Sequence, residues 1–209
     1  MRSFLSYLFK KPSAVLNEKD KMKKFLITGL GNIGPDYENT RHNIGFQVLD
    51  ELARKKELDF TQNKLGATAS FRIKGRSILL LKPATFMNRS GKAVHYWLEK
   101  EKIPREHLLI ITDDINLPFG TLRLKSKGSD GGHNGLADIQ QTLQTIQYNR
   151  LRFGLGSDFP KGRQVEYVLG NWNEEEEKAL PERLDRCAEL IESFVLQGVN
   201  ITMNTFNNT

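Results

Sequence analysis

The stretch Phe25-Leu-Ile-Thr-Gly-Leu-Gly-Asn-Ile-Gly34, closed by Pro35, constrains the fold more than any other. An apolar run that reads as a strand ends in Gly29, Gly31 and Gly34, the G-x-G-x-x-G spacing of dinucleotide-binding turns. Such a turn must open directly into a helix, so that free N–H groups face a pyrophosphate. Here Pro35 and Asp36-Tyr-Glu-Asn-Thr-Arg-His-Asn43 supply turn chemistry instead. A helical period resumes only after His42. The acidic residue expected about twenty positions on, at the end of a second strand, is missing. Asp50 and Glu51 stand there inside the amphipathic pattern of Ile44, Val48, Leu49, Leu52 and Ala53. These glycines therefore shape a polar loop after a strand, and a nucleotide-dependent oxidoreductase is disfavoured. Gly29 and Gly31 are expected to let the chain turn, and Gly34-Pro35 to delay the helix.

The rest of the chain alternates strand and helix signals. A helix is expected at about 44–57 and a hairpin from 67–74 and 76–81 around Gly75. A helix near 91–100 follows, with Val94, Trp97 and Leu98 on one face. Residues 107–112 read as a buried strand, 120–125 as a half-exposed one, 136–143 as a short helix and 150–155 as another alternating strand. The last helix opens at Asn173 with Glu176 in the capping-box position and continues through Leu180, Leu184, Cys187, Ile191 and Val195. No repeat or second core is visible. The fold class is α/β: a single domain with a central mixed twisted sheet and helices on both faces. Its bounds are 24–200, with a flexible N-terminal extension at 1–23 and a C-terminal tail at 201–209. The apolar run Phe4–Phe9 is too short for a secretory core and is stopped by Lys10-Lys11. A tail, a presequence and a true start at Met22 all fit that extension.

The single cysteine, Cys187, excludes an internal disulfide and fits a packed thiol in a reducing, cytoplasmic setting. The net charge is +6, but from Trp172 onward eight acids face three bases, so the remainder carries +11. That asymmetry fits a polyanionic partner and equally an ordinary solvated basic surface.

The side chains able to do chemistry fall in loops at strand ends. His42 serves as a general base if a carboxylate orients it, and Asp113, closing the buried strand, is the candidate. No G-x-S-x-G and no cysteine nucleophile accompany them, which fits activation of water. The four histidines, His42, His95, His107 and His133, lack metal-ligand spacing, so no metal is expected. Asn32, Asn88 and Asn134 sit beside turn glycines or at a helix entry. They read either as turn and cap residues or as a cluster that holds a carbonyl. Lys125, Lys127, Arg150 and Arg152 line one sheet edge if their strands are neighbours, either as a phosphate site or as ordinary strand-face charge.

Four spaced motifs together resemble the bacterial peptidyl-tRNA hydrolase family. They are Gly29-Leu-Gly-Asn-Ile-Gly-Pro-Asp-Tyr-Glu-Asn-Thr-Arg-His-Asn-Ile-Gly45, Lys82-Pro-Ala-Thr-Phe-Met-Asn-Arg-Ser-Gly-Lys92, Asp113-Asp-Ile-Asn-Leu-Pro118 and Gly131-Gly-His-Asn-Gly-Leu136. The likeness runs from about Lys24 to Val199. It implies hydrolysis of the ester joining a peptide to the terminal ribose of tRNA, by a cofactor-free monomer in the cytoplasm. It further implies His42 as catalytic base, Asp113 as the acid that holds it, and Asn32 beside the base. Tyr37, Asn43, Phe86, Met87, Asn88, His133 and Asn134 would meet the substrate, and Lys125 with Arg152 would clamp the tRNA 5′-phosphate. Two departures, Asn116 for a common second Asp and Asp130 in the glycine-rich run, bear on tRNA binding rather than on the chemistry. A non-catalytic RNA-binding relative of the same fold is the alternative.

Overall fold

In the computed structural model, residues 24–207 and 209 are described; the expected extension at 1–23 lies outside them. Seven strands form one sheet in the order β2-β3-β4-β1-β5-β7-β6. They are β1 (Lys24–Gly29), β2 (Thr61–Asn63), β3 (Gly66–Ile73), β4 (Arg76–Pro83), β5 (Leu108–Asp114), β6 (Leu122–Lys125) and β7 (Asn149–Gly154). The four central strands β4, β1, β5 and β7 are parallel, while β3 and β6 run antiparallel to them and β2 pairs antiparallel with β3 at the outer edge. The sheet is therefore mixed, as expected.

Helices cover both faces. On one lie α1 (Ile44–Lys55), α5 (Glu174–Gln197) and α6 (Val199–Phe206), packing Val48, Leu49, Ile191 and Phe194 against Ile27, Leu80 and Ile111. On the other lie α2 (Ser90–Glu101) and α3 (Asn134–Leu143), packing Val94, Trp97 and Ile139 against Leu26, Leu81 and Ile110. The alternation of β1 sends Leu26 to one face and Ile27 to the other, so a strand that reads as uniformly apolar feeds two cores. A short helix, α4 (Gln164–Val168), packs Tyr167 and Val168 against the edge of the first of these cores.

Local chemistry explains the boundaries. Lys74 and Gly75 both take positive φ in the two-residue hairpin turn, the backbone that such a turn demands. Asn173 accepts from Glu175 and Glu176 N–H while the Glu176 carboxylate accepts from Asn173 N–H, completing the box read from sequence. Cys187 is buried and its thiol is pushed up by desolvation, which suits packing rather than reactivity.

Three readings change. Gly29 and Gly31 do not turn the chain; they let β1 and α1 touch. A Cβ on Gly29 would stand 2.1 Å from Gly45 O, and one on Gly31 would strike the Phe46 ring at 2.8 Å. Gly34 is the one of the three with positive φ, at 114°. The tail expected from 201 is instead mostly helix: Phe206 is buried, and Asn207 pairs its side-chain amide with both backbone groups of Leu124 on the edge strand β6. Finally, the sequence reading placed neither the short α4 nor β2, whose three residues are all exposed and polar.

Candidate active site

The C-terminal ends of the parallel strands open onto a cavity of ≈ 330 Å³. After β1 the chain runs through Asn32 and two 3-10 turns, Pro35–Tyr37 and Arg41–Asn43, before α1 begins. The delay imposed by Gly34-Pro35 thus places His42 on a turn at the rim rather than inside a helix. Asp113 comes from the end of β5, fully backed by the sheet.

His42 Nδ1 lies 2.9 and 3.0 Å from the two oxygens of Asp113. Burial alone would raise the Asp113 pKa, but His42 and then His133 outweigh it and hold the carboxyl well below the usual carboxylate range. An ionised carboxylate only accepts, so Nδ1 carries the proton and Nε2 of neutral His42 is left basic. For His42, burial lowers the pKa, yet the charge and hydrogen bond of Asp113 more than offset it, leaving the value above the ordinary 6.5.

His133, expected among substrate contacts, faces inward instead. Its Nδ1 accepts from the N–H groups of Gly135 and Leu136 at 3.1 and 3.2 Å, capping α3. Its Nε2 therefore bears the proton and donates to Asp113 Oδ1 at 3.0 Å. His133 borders the cavity, but both of its nitrogens are committed to the protein. His42, Asp113 and His133 place their ligand atoms within 4.8 Å of one another, a donor set of the kind a divalent metal accepts. The set does not fit one well. A metal on His133 Nε2 needs a proton on Nδ1, and Nδ1 already faces two N–H donors.

The asparagines divide by role. Asn32 Oδ1 accepts from Met87 N–H at 2.8 Å. Asn43 exchanges hydrogen bonds with the Asn32 backbone, at 2.8 Å to its N–H and 2.9 Å from its carbonyl. Asn43 is thus a buried brace behind Asn32 and does not line the cavity that holds His42. Asn88, on the 3-10 turn Met87–Arg89, and Asn134, opening α3, both line the cavity with Phe86 and Met87. Tyr37 does not line it.

The basic edge is formed as foreseen, because β6 and β7 pair with Lys125 opposite Arg150 and Arg123 opposite Arg152. Arg150, however, is buried, donating to the Ser129 and Ile146 carbonyls and lying 4.3 Å from the Tyr148 ring centre. Arg152 reaches the cavity but is ion-paired to the buried Asp114. Lys125 is exposed and outside the cavity lining. Of the two departures, Asn116 donates its N–H to Asp114 Oδ1, and Asp130 caps the glycine loop by accepting from Gly132 N–H. Sequence reading missed the wall supplied by α4. Val165, Val168 and Leu169 line the cavity, and their i, i+3, i+4 spacing was the available signal.

The sequence profile of the Peptidyl-tRNA hydrolase family matches residues 26–209. This chain belongs to the peptidyl-tRNA hydrolase family. A peptidyl-tRNA hydrolase of Bacteroides fragilis is 59% identical over 184 residues, covering 88% of this chain and 98% of the relative. One from Parabacteroides distasonis is 60% identical over 185 residues, covering 88% and 99%. Among solved structures, peptidyl-tRNA hydrolase from Acinetobacter baumannii superposes with a TM-score of 0.83 at 34% identity, covering 89% of this chain and 95% of that one. The family resemblance read from the four motifs and the single α/β domain with a mixed sheet are both supported by these matches. Among the described residues, no helix is long and apolar enough to cross a membrane.

Proposed function

We propose that this chain hydrolyses the ester between the peptide and the 3′-terminal ribose of peptidyl-tRNA, with His42 as general base and Asp113 as its holder. The observation that carries this reading is the His42 Nδ1 contact to both Asp113 oxygens at the rim of a cavity lined by Asn32, Asn88 and Asn134.

Asp113 fixes the tautomer of His42, so Nε2 takes a proton from water as the water oxygen attacks the ester carbonyl. The tetrahedral intermediate collapses, the C–O bond to ribose breaks, and the proton on His42 passes to the leaving hydroxyl. An alkoxide leaves more readily than an amide nitrogen, so no covalent intermediate is needed. Asn88 and Asn134 supply amide groups to hold the peptide carbonyl and the water. Lys125 and Arg152 bind the tRNA 5′-phosphate, Arg152 by exchanging Asp114 for the phosphate. The family resemblance supports action in the cytoplasm as a monomer without a cofactor.

The non-catalytic alternative predicts a broken set, whereas His42, Asp113 and the three asparagines are all present around one cavity. Purified peptidyl-tRNA incubated with the protein should release peptide, at the same rate with and without a chelator. Binding without release rejects the reading, and loss of activity on chelation rejects the metal-free mechanism.

A further inference from the structure

The residue before the base carries contacts that the chemistry above does not use. Arg41 is buried, and its Nη2 donates to Glu176 Oε2 at 2.6 Å, across 135 positions of chain. Its Nη1 donates to the Tyr167 carbonyl at 3.4 Å. The guanidinium carbon lies 4.4 Å from the Tyr167 ring centre and 5.6 Å from that of Trp172. Arg41 N–H donates to Gly170 O at 3.0 Å, and Thr40 forms an isolated antiparallel bridge with Asn171. Both ends of this array are anchored. Glu176 Oε2 also accepts from Asn173 N–H in the capping box, and Tyr167 OH donates to Leu155 O at 2.7 Å. One guanidinium therefore ties the turn that carries His42 to α4, whose Val165 and Val168, followed by Leu169, line the same cavity.

This arrangement is a poor device for stability. Desolvation offsets most of the attraction in a buried ion pair, and Arg41 Nε is buried with no partner. What it supplies is orientation: a planar cation gripped at its edge by a carboxylate and on its face by an aromatic ring. We propose that Arg41 is a positioning residue that fixes the apolar α4 wall relative to His42, so that a bulky apolar side chain on the peptide's last residue is held beside the base. The proposal rests on the hydrolase reading above, and Arg41 itself touches neither the water nor the ester.

The test measures kcat and KM on two purified peptidyl-tRNAs that differ only in the last amino acid, leucine or glycine, across pH and with melting temperatures alongside. Arg41→Lys keeps the buried charge but loses the planar stack. Tyr167→Leu removes the ring from the other side, and Tyr167→Phe retains it. Arg41→Lys and Tyr167→Leu should raise KM for the leucine substrate by about fivefold or more, the scale of losing contact to roughly one methylene, and leave the glycine substrate within about twofold. The rising pH limb should not move, because Asp113 still holds His42, and Tyr167→Phe, which keeps the ring but loses the anchor to Leu155 O, should fall between the parent and Tyr167→Leu. A merely structural Arg41 lowers the folded fraction, which reduces apparent kcat for both substrates alike and changes neither KM.

The proposal is overturned if the two KM values stay unchanged or rise together, if the pH limb shifts, or if Tyr167→Phe is as impaired as Tyr167→Leu. Should Arg41→Lys not fold, the Tyr167 pair decides alone. His42→Ala in the same assay separates the two levels. A near-normal His42→Ala breaks the hydrolase reading, whereas an inactive one with unchanged KM in the other variants breaks only the role of Arg41.

Discussion

Two polar regions of the sheet treat charge in opposite ways. At His42, Asp113 and His133, two half-buried imidazoles meet one buried carboxylate, and each faces a specific partner. Along β6 and β7, four cations share one strand face, and they range from exposed to fully buried. Lys125 stands in solvent, Arg152 pairs with Asp114, and Arg150 is spent on two carbonyls. The difference teaches that spacing along a strand assigns a face, while the groups that arrive from elsewhere assign the job. A buried arginine held by two backbone carbonyls is a brace, however well its register matches a phosphate site.

The largest expected effect tests the first region. His42→Ala should lower turnover by at least ~10²-fold, the usual scale of a lost general base; a purified, folded variant with near-normal kcat would break the assignment. Asp113→Asn should come close to that loss, because an amide that donates to Nδ1 forces the wrong tautomer. The double variant should be little worse than the weaker single one, and losses that multiply would show that the two residues do not act as a unit.

The second region is sharpened by a pair of variants. Lys125→Ala should raise KM and reduce the salt slope of tRNA binding by about one, with little change in melting temperature. Arg150→Met should lower the melting temperature clearly, because the Ser129 and Ile146 carbonyls lose their donor, and leave the salt slope alone. Equal salt slopes for the two variants would erase the distinction between brace and clamp.

The smallest effect probes how the first region tunes itself. With the His42 pKa raised above 6.5, activity should climb with pH through a limb above that value, since only neutral His42 accepts a proton. His133→Asn keeps a good cap on α3 but withdraws the donor from Asp113. The carboxylate then stabilises the His42 cation more, so the limb should move to higher pH, as read from kcat/KM profiles. A limb that stays in place would mean that His133 only caps the helix.

Much of this was legible from residue order. The β1 run, the helix periods, the Lys74-Gly75 turn and the Asn173 capping box depend on contacts within a few positions, so local chemistry suffices. His42 and Asp113 stood out because each closes a loop at the end of an apolar strand or turn. The α4 wall was obscured because five residues give too short a period against a polar background, and α6 because a tail and a capping helix share a modest apolar pattern until Phe206 finds its pocket. Tyr37 and Asn43 show the converse: residues adjacent to the site in sequence, one away from the cavity and the other behind it.

The sequence by itself determined an α/β chain whose first strand ends in a polar loop rather than a nucleotide-binding helix, because Pro35 and the turn residues after it act on their own neighbours. It also determined which residues could carry a hydrolytic pair. Only the tertiary structure decided which partners each charge met. The committed ring nitrogens of His133, the Asp114 partner of Arg152, the carbonyls around Arg150 and the Glu176 carboxylate beside Arg41 all come from distant stretches of chain. Burial makes those meetings decisive, since a charge removed from water is defined by the few groups left around it.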